Sequence, residues 1–252
     1  GAIAVARLIT YGVLSQPVSA QEYSRLFERD GLGLYSSTEY LSRGAWKQYG
    51  AQYGRLGNSS YSIDGFYGSD PGQRMNNDLE LIHGSFQWKQ QVTPKDSVYL
   101  QTVLSRSRYG DLAQVYDPMA EGNSQIRHLE TQEPLVLAGY HHEWGPGSHT
   151  LFLTGWLEDT LQVTDPIQNT RLLFRDPFSP GNPIGGVLPY VMGREYQSEL
   201  GIFTAEAQHI LQTERYAVIV GGRGQAGEFH TQVANALPPV YSVPGIPPIY
   251  SG

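Results

Sequence analysis

Residues 133–159, EPLVLAGYHHEWGPGSHTLFLTGWLED, decide the predicted fold. Two runs of alternating residues flank a turn at 145–148, and side chains alternate between faces along a β-strand. The alternation predicts a long β-hairpin, and we expect one largely apolar, outward face from Val136, Ala138, Tyr140, Leu151, Leu153 and Leu157. The second, inward face takes Thr150, Thr154 and Glu143, and also the apolar Leu135, Leu137, Phe152 and Trp156.

The arms of this hairpin are long. Each runs for about a dozen residues, whereas strands of globular proteins average ~5–6 residues. A strand that crosses a lipid bilayer at a tilt needs ~9–11 residues. The length therefore favours a membrane-spanning hairpin.

Composition narrows the class of protein. The chain has 252 residues, of which only 16% are charged, and its net charge of −7 gives no basic surface for nucleic acid. It has no cysteine, which excludes disulfides and thiolate metal sites, and no run of 18 apolar residues that would form a transmembrane helix. Seventeen Tyr and four Trp fit either the aromatic girdles of a membrane barrel or the core of a β-sandwich.

Strand and turn signals alternate from Leu32 onward and predict an all-β chain. We expect about nine antiparallel, up-and-down strands, which form part of a transmembrane β-barrel as an open, curved sheet. This divides the chain into 1–32, a linker or terminal segment, 33–226, the strands and loops, and 227–252, a Pro- and Gly-rich loop or stub. The predicted strands lie near 33–41, 45–55, 59–67, 78–92, 97–109, 132–144, 149–159, 191–211 and 215–224.

The connections between these strands differ in length in a regular way. Every second connection is tight, at 56–58, 93–96, 145–148 and 212–214, and most of the others are long, at 68–77, 110–131 and 160–190. Outer-membrane barrels have this asymmetry, with short turns at one end and long loops at the other. We therefore expect the tight turns to lie together at one end of the sheet.

The two ends of the sequence leave alternatives open. Residues 1–20 fit either the tail of a secretory signal, because Val18-Ser19-Ala20 matches a cleavage pattern, or the end of a preceding domain. Barrels of this kind have an even number of strands, and nine is odd. We expect the sequence to be a piece of a longer chain.

Few residues indicate chemistry. His141 and His142 are adjacent on a predicted strand and must point to opposite faces, so they cannot share a metal ion. The run 222–227 matches G-x-G-x-x-G, but no acidic residue follows Glu228, and we interpret its glycines as loop residues. We nominate no catalytic residue, no metal ligand and no cofactor, and we expect no enzymatic activity.

The hairpins resemble a known family. The tight turn in VTPKDSVYL, the hairpin LVLAGYHHEWGPGSHTLFL and the order of the strands are similar to the barrel of TonB-dependent outer-membrane receptors. In that family an N-terminal plug precedes a 22-stranded barrel, so residues 1–32 correspond to the end of the plug. The resemblance implies uptake of a scarce small-molecule ligand, of siderophore or cobalamin type. It also implies a location in the outer membrane, contact with the lipid bilayer and a TonB-type energy-coupling partner.

Two other functions remain open at this point. A passive porin-type barrel has the same alternation of turns and loops. A soluble, secreted β-sheet protein that binds carbohydrate uses surface aromatic residues clustered on one face. The barrel hypotheses require Tyr and Trp at two levels ~25 Å apart on the lipid side. The ligand-binding residues are unknown at this stage.

Overall fold

The computed structural model describes residues 30–113, 122–174 and 185–236, and their strands form one antiparallel sheet. The interpretations of 1–20 and of the prolines after 236 lie outside the described residues. A short 3-10 turn, Ser42–Gly44, joins the first two strands. The strands are β1 Gly31–Tyr40, β2 Trp46–Leu56, β3 Ser59–Asp70, β4 Leu79–Gln91, β5 Asp96–Tyr109, β6 Arg127–Gly145, β7 Ser148–Phe174, β8 Gly186–Gln212 and β9 Ala217–Ala236.

The sheet is up-and-down and open, as predicted. Each strand pairs with the next one along the chain, in the order β1 to β9. Within the described residues β1 pairs only with β2 and β9 only with β8, so the two edge strands do not meet. No helix among these residues is long and apolar enough to cross a membrane.

The tight turns lie at one end of the sheet, which confirms the predicted alternation. The amide of Glu143 donates to the carbonyl of Lys95 over 2.8 Å, and the amide of Gln212 donates to the carbonyl of Gly147 over 2.6 Å. These bonds place the turns at 92–95, 146–147 and 213–216 side by side. We call this the tight-turn end, and the opposite end, with the connections 71–78, 110–126 and 175–185, the long-loop end.

The strands that lead to the long-loop end are longer than predicted. The region 160–190, predicted as a loop, is mostly strand, because β7 runs to Phe174 and β8 begins at Gly186. Similarly, β6 begins at Arg127 instead of 132, and β9 continues to Ala236, past the predicted end at 224.

A β-bulge explains why the extension of β7 was missed. Pro166 lacks an amide hydrogen, so it cannot donate to a strand ladder and interrupts the strand signal in the sequence. In the structure the register of β7 with β8 shifts between Asp165 and Gln168, and Pro166 occupies that bulge. The carboxylate of Asp165 accepts a hydrogen bond from the amide of Ile167 over 3.4 Å, so the bulge has local support. Pairing then resumes beyond it.

The apolar face predicted for the β6–β7 hairpin is wrong. Residues directly opposite each other in an antiparallel pair share a face. Val136 pairs with Trp156 and Tyr140 with Phe152, whereas Leu151 pairs with His141. Thus Val136, Ala138 and Tyr140 share their face with Phe152, Thr154 and Trp156. The opposite face carries Leu151, Leu153 and Leu157 together with Glu143.

A second bulge causes this reversal. At the turn Gly145 pairs with Ser148, and Gly147 has the positive φ of 75° that glycine tolerates. That register would place Val136 opposite Leu157, as the alternation predicted. Trp144 is instead an extra residue between Gly145 and Glu143, and Glu143 pairs with His149. One inserted residue exchanges the faces of one strand relative to the other.

Candidate functional site: the two faces of the sheet

The register assigns every strand residue outside the bulges to one of two faces. We call the face that carries Leu100 and Val136 the outer face, and the face that carries Gln101 and Leu137 the inner face. The pairings of Leu100 with Ala138 and of Gln101 with Leu137 fix this assignment on β5 and β6. It extends to the other strands through their own registers.

The sheet bends toward the inner face. All buried side chains of the described strands lie on that face, although each strand contacts chiefly its neighbours in the sheet and no second layer formed by described residues covers it there. A flat single sheet would expose both faces equally, so the shelter comes from curvature. Glycines apart, the buried strand residues are Tyr49, Ala51, Ser62, Ser97, Val103, Ser107, Tyr109, Asp165 and Ser198.

The outer face is apolar and exposed. Leu104 and Phe203, which lie on internal strands, are each 47% exposed. Across β2–β8 the exposed large apolar side chains lie on the outer face, apart from Leu151 at 36% and the bulge residues Trp144 and Ile167. The outer-face members on β2–β8 include Trp46, Leu56, Ile63, Ile82, Leu104, Tyr140, Phe152, Trp156, Phe203 and Leu211.

A band without charge crosses this outer face. On β5 the nearest charged outer-face residues are Asp96 and Arg106, which bracket residues 97–105, a length that suits a tilted bilayer crossing of ~9–11 residues. On the outer face of β1–β3 there is no charged residue. The band is formed on β4–β9 by Ile82 to Trp88, Val98 to Leu104, Val136 to Tyr140, Phe152 to Trp156, Gly201 to Ala207 and Val218 to Ala226. Glu80, Glu158, Glu199 and Glu228 limit it at the long-loop end.

Aromatic residues lie at both margins of this band. Tyr61 pairs with Trp88 near the tight-turn end, and the rings of Trp46 and Tyr67 lie 5.2 Å apart near the long-loop end. Along β3, Tyr61 and Tyr67 are about 20 Å apart at roughly 3.3 Å per residue. The apolar side thus has two aromatic levels, at a spacing shorter than the ~25 Å that the barrel hypotheses require.

A polar cluster marks the tight-turn margin. The carboxylate of Asp96 accepts hydrogen bonds from the hydroxyl groups of Thr93 and Tyr140 and from Nδ1 of His142, the last two over 2.6 Å. These bonds, that of Thr93 first, hold the pKa of Asp96 well below its usual range. The ring of His142 also contacts that of Trp144 edge-on, with 4.5 Å between centroids. Charged and amphipathic side chains of the outer face therefore lie at the tight-turn margin of the charge-free band.

The inner face carries the charged residues found at the depth of the band. Arg223 on β9 forms an ion pair with Glu206 on β8 over 3.2 Å, and Asp64 accepts a hydrogen bond from Ser85 over 2.6 Å. His83 and Lys89 also lie on this face. The inner face of the β6–β7 hairpin carries a leucine patch, half-buried apart from Leu151, which is formed by Leu135, Leu137, Leu151, Leu153 and Leu157.

At the long-loop end, polar side chains join two connections. Arg74 donates to the carbonyl of Ala113 over 2.8 Å and pairs with the carboxylate of Asp111 over 3.3 Å. That carboxylate also accepts from the amide of Asn123 over 2.7 Å, and Asn76 donates to the carbonyl of Ile126 over 2.8 Å. Burial tends to raise the pKa of Asp111, but the amides of Ala113 and Asn123 together with Arg74 outweigh it, so the pKa is lowered.

Replacing Asp111 with alanine is expected to loosen these connections. The change leaves Arg74 and two backbone amides without their acceptor, which costs about 1–3 kcal/mol locally. Limited proteolysis of the folded chain should then cleave faster within 71–78 and 110–126. Asp70→Asn is the matched control, because among the described residues the Asp70 side chain accepts a hydrogen bond only from the amide of Gly72, in the adjoining connection. Equal acceleration in both variants would contradict the proposed role of Asp111.

A half-buried carboxyl group lies on the inner face beyond the band. Glu130 faces Ser107 across β5 and β6, and burial raises its pKa to about 7, with the carboxylate of Asp159 acting in the same direction. Burial also raises the pKa of Asp159. His128 and Tyr109 stack next to them, with 4.5 Å between ring centroids. The protonated form of Glu130 is therefore favoured in the folded chain.

This carboxyl group predicts a pH dependence of stability. The unfolded chain releases the Glu130 proton near pH 4.5 and the folded chain near 7, so the free energy of unfolding should fall as the pH rises between these values. After allowance for partial exposure the change is roughly 1–2 kcal/mol. Glu130→Gln should remove this part of the slope in urea titrations at pH 5 and pH 8. An unchanged slope in the variant would contradict the assignment.

The remaining predictions about sites have mixed outcomes. His141 and His142 lie on opposite faces, as expected. The glycine run 222–227 is not in a loop, because it lies within β9, and no helix follows it in the described part of β9. The strand–turn–helix context of a dinucleotide site is therefore missing there. In the described ranges no group of three or more His, Cys, Asp or Glu side chains is arranged to hold a metal ion.

Comparison with known proteins adds no identification. No protein-family model matches the chain, and the search of curated proteins gives no match.

Proposed function

We propose that this chain is part of a transmembrane β-barrel of the outer membrane, whose outer face contacts lipid and whose inner face lines the lumen. The charge-free band on the outer face carries the proposal. Its length along β5 suits a bilayer crossing, aromatic residues lie at both margins, and the charges at the same depth lie on the inner face. In lipid every backbone polar group needs a hydrogen-bond partner. The internal strands β2–β8 are paired on both sides, which provides such partners.

Within this proposal the barrel acts as a receptor that takes up a scarce small molecule, of siderophore or cobalamin type. The leucine patch favours a receptor over a passive porin, because a water-filled channel is lined by polar side chains. Five leucines on the inner face favour a lumen occupied by protein. Coupling to a TonB-type energy-transducing partner is proposed from the family resemblance. No catalytic role is assigned to any residue.

The soluble alternative accounts less well for the outer face. A soluble, secreted carbohydrate-binding sheet would place its aromatic residues together on one exposed patch. Here the outer-face Tyr and Trp residues lie at two levels, and aliphatic residues fill the space between them. If that surface faced water, its exposed Leu, Ile, Val and Phe side chains would contribute the full unfavourable free energy of hydrating apolar area.

Two measurements test this proposal. The chain, secreted into the periplasm of a Gram-negative host, should stay in the outer-membrane pellet after alkaline extraction, whereas a soluble protein would be released. Saturable binding of a ferric chelate or of cobalamin by such membranes would support the receptor, with membranes lacking the chain as the control. Membrane retention with only non-saturable passage of small solutes would favour the porin.

A further inference from the structure

Two histidine rings meet on the inner face of the β6–β7 hairpin. Nε2 of His141 lies 3.0 Å from Nδ1 of His149, and the ring centroids are 5.1 Å apart. The residues come from facing strands, because His141 pairs with Leu151 and His149 pairs with Glu143. Each ring therefore presents a nitrogen to the other from a rigid, paired backbone.

Ser97 orients one of these rings. It pairs with His141 across β5 and β6, is only 3% exposed, and has its Oγ 3.5 Å from Nδ1 of His141. Histidines that bind metal ions usually hold their second ring nitrogen with such a polar partner. With the proton of His141 on Nδ1, toward Ser97, Nε2 presents its lone pair to the space shared with His149.

We propose that His141 and His149 together bind one divalent late-transition-metal ion, with Cu²⁺ preferred. Two nitrogens about 2.0–2.1 Å from an ion are about 3.3 Å apart at a tetrahedral angle and about 2.9 Å apart at a right angle. The observed 3.0 Å lies within this range, so one ion can contact both nitrogens with little movement of the rings. Cu²⁺ binds imidazole more tightly than Ni²⁺ or Zn²⁺ does.

The surroundings complete the coordination and bias the affinity. Because no third His, Cys, Asp or Glu ligand is arranged with the pair in the described ranges, water supplies the remaining positions. Glu143 and Lys89 act electrostatically on His141 in opposite directions, the first favouring positive charge there and the second opposing it. The two histidines thus bind the cation on the inner face near the tight-turn end, and the charges of Glu143 and Lys89 adjust the affinity.

The proposal does not depend on transport. Both ligands belong to one hairpin, so they stay together whether or not the free edges of the sheet associate with other strands. His209 provides a matched control, because it lies on the outer face and bonds through Nδ1 to Thr150 over 2.9 Å. Removing it deletes one imidazole without altering the pair.

The experiment is a titration of the full chain in detergent with Cu²⁺, with strand content matched by circular dichroism. Electron paramagnetic resonance should show one tight Cu²⁺ per chain with two nitrogen donors. His141→Ala and His149→Ala should each weaken binding at least about tenfold, while His209→Ala leaves it unchanged. Equal binding by His149→Ala and the unaltered chain would overturn the proposal. An equal loss in His209→Ala would do so too, because it would indicate scattered imidazoles.

A second pair of variants distinguishes a binding site from a structural contact. Lys89→Gln should tighten Cu²⁺ binding and Glu143→Gln should weaken it, because each removes a charge that acts on His141. Both shifts should shrink at high salt, and a purely structural histidine pair would show neither. Ni²⁺ and Zn²⁺ titrations should give weaker binding at the same residues. Tighter binding of Zn²⁺ than of Cu²⁺ would contradict the proposed preference for Cu²⁺.

Discussion

Replacing Leu100 with arginine is expected to oppose membrane insertion strongly, whereas replacing its neighbour Gln101 with arginine should have little effect. Leu100 lies on the outer face midway between Asp96 and Arg106, and Gln101 lies on the inner face at the same depth. Arginine on the lipid side near the bilayer midplane costs about 2–4 kcal/mol. This corresponds to a shift in the insertion equilibrium of roughly 30-fold or more.

The two variants lie on the same strand at the same depth and introduce the same residue, so a difference between them reports only the face on which the arginine lies. Insertion into phospholipid vesicles would be measured by protection of the chain from added protease at several lipid concentrations. The β6–β7 hairpin offers an independent pair, because Thr154 lies on the outer face and Leu153 on the inner face. Thr154→Arg should therefore be the more harmful change there. Equal losses at Leu100 and Gln101 would mean that both faces are packed, as in a sandwich.

The second large effect concerns the free edges. Neighbouring strands are antiparallel, so β1 and β9, both odd-numbered in a sheet of nine, run in the same direction. They cannot close against each other in the antiparallel pairing of an up-and-down barrel. Within the described residues each edge has unpaired amide and carbonyl groups, which cost several kcal/mol apiece in hydrocarbon. The 252-residue chain alone is therefore expected to insert only as associated species and not as a monomer.

Association between copies does not remove the problem. Two copies with the same orientation in a membrane would bring β9 beside β1 of the next copy, again in parallel. A further strand that runs opposite to both is required at each edge. Refolding into detergent micelles should accordingly give a broad size-exclusion profile and no heat-dependent mobility shift on gels. A monodisperse, heat-modifiable monomer would indicate a small complete barrel and would contradict the open sheet.

Several features of the fold were predictable because they depend on local chemistry. The number and order of strands followed from alternation and turn residues, and the shared end of the tight turns followed from their spacing. On β4 the alternation in the sequence also matches the structure, with Phe86 and Trp88 on one face and His83 and Gln87 on the other. That strand has no bulge, so its period of two survives along its length.

Other features were not predictable because bulges leave little trace in composition. The extra residue at Trp144 exchanged the faces of β6 relative to β7. The bulge at Pro166 concealed the part of β7 that continues beyond it toward the long-loop end. The contact of His141 with His149 depends on the bulge at Trp144, since the simple register would place the two rings on opposite faces. The raised pKa of Glu130 depends on burial beside Asp159, which is distant in sequence. A tryptophan next to a two-residue turn was the only signal available for the bulge at Trp144.

The orientation of the outer face toward lipid is the central claim, and cysteine scanning along β5 tests it most directly. The chain has no cysteine, so single cysteines at positions 97–105 can carry nitroxide labels without background. In detergent or lipid, collision with oxygen should be highest at the even positions 98, 100, 102 and 104. Collision with a water-soluble nickel chelate should be highest at the odd positions. The opposite alternation, or high nickel accessibility at both sets, would contradict the account.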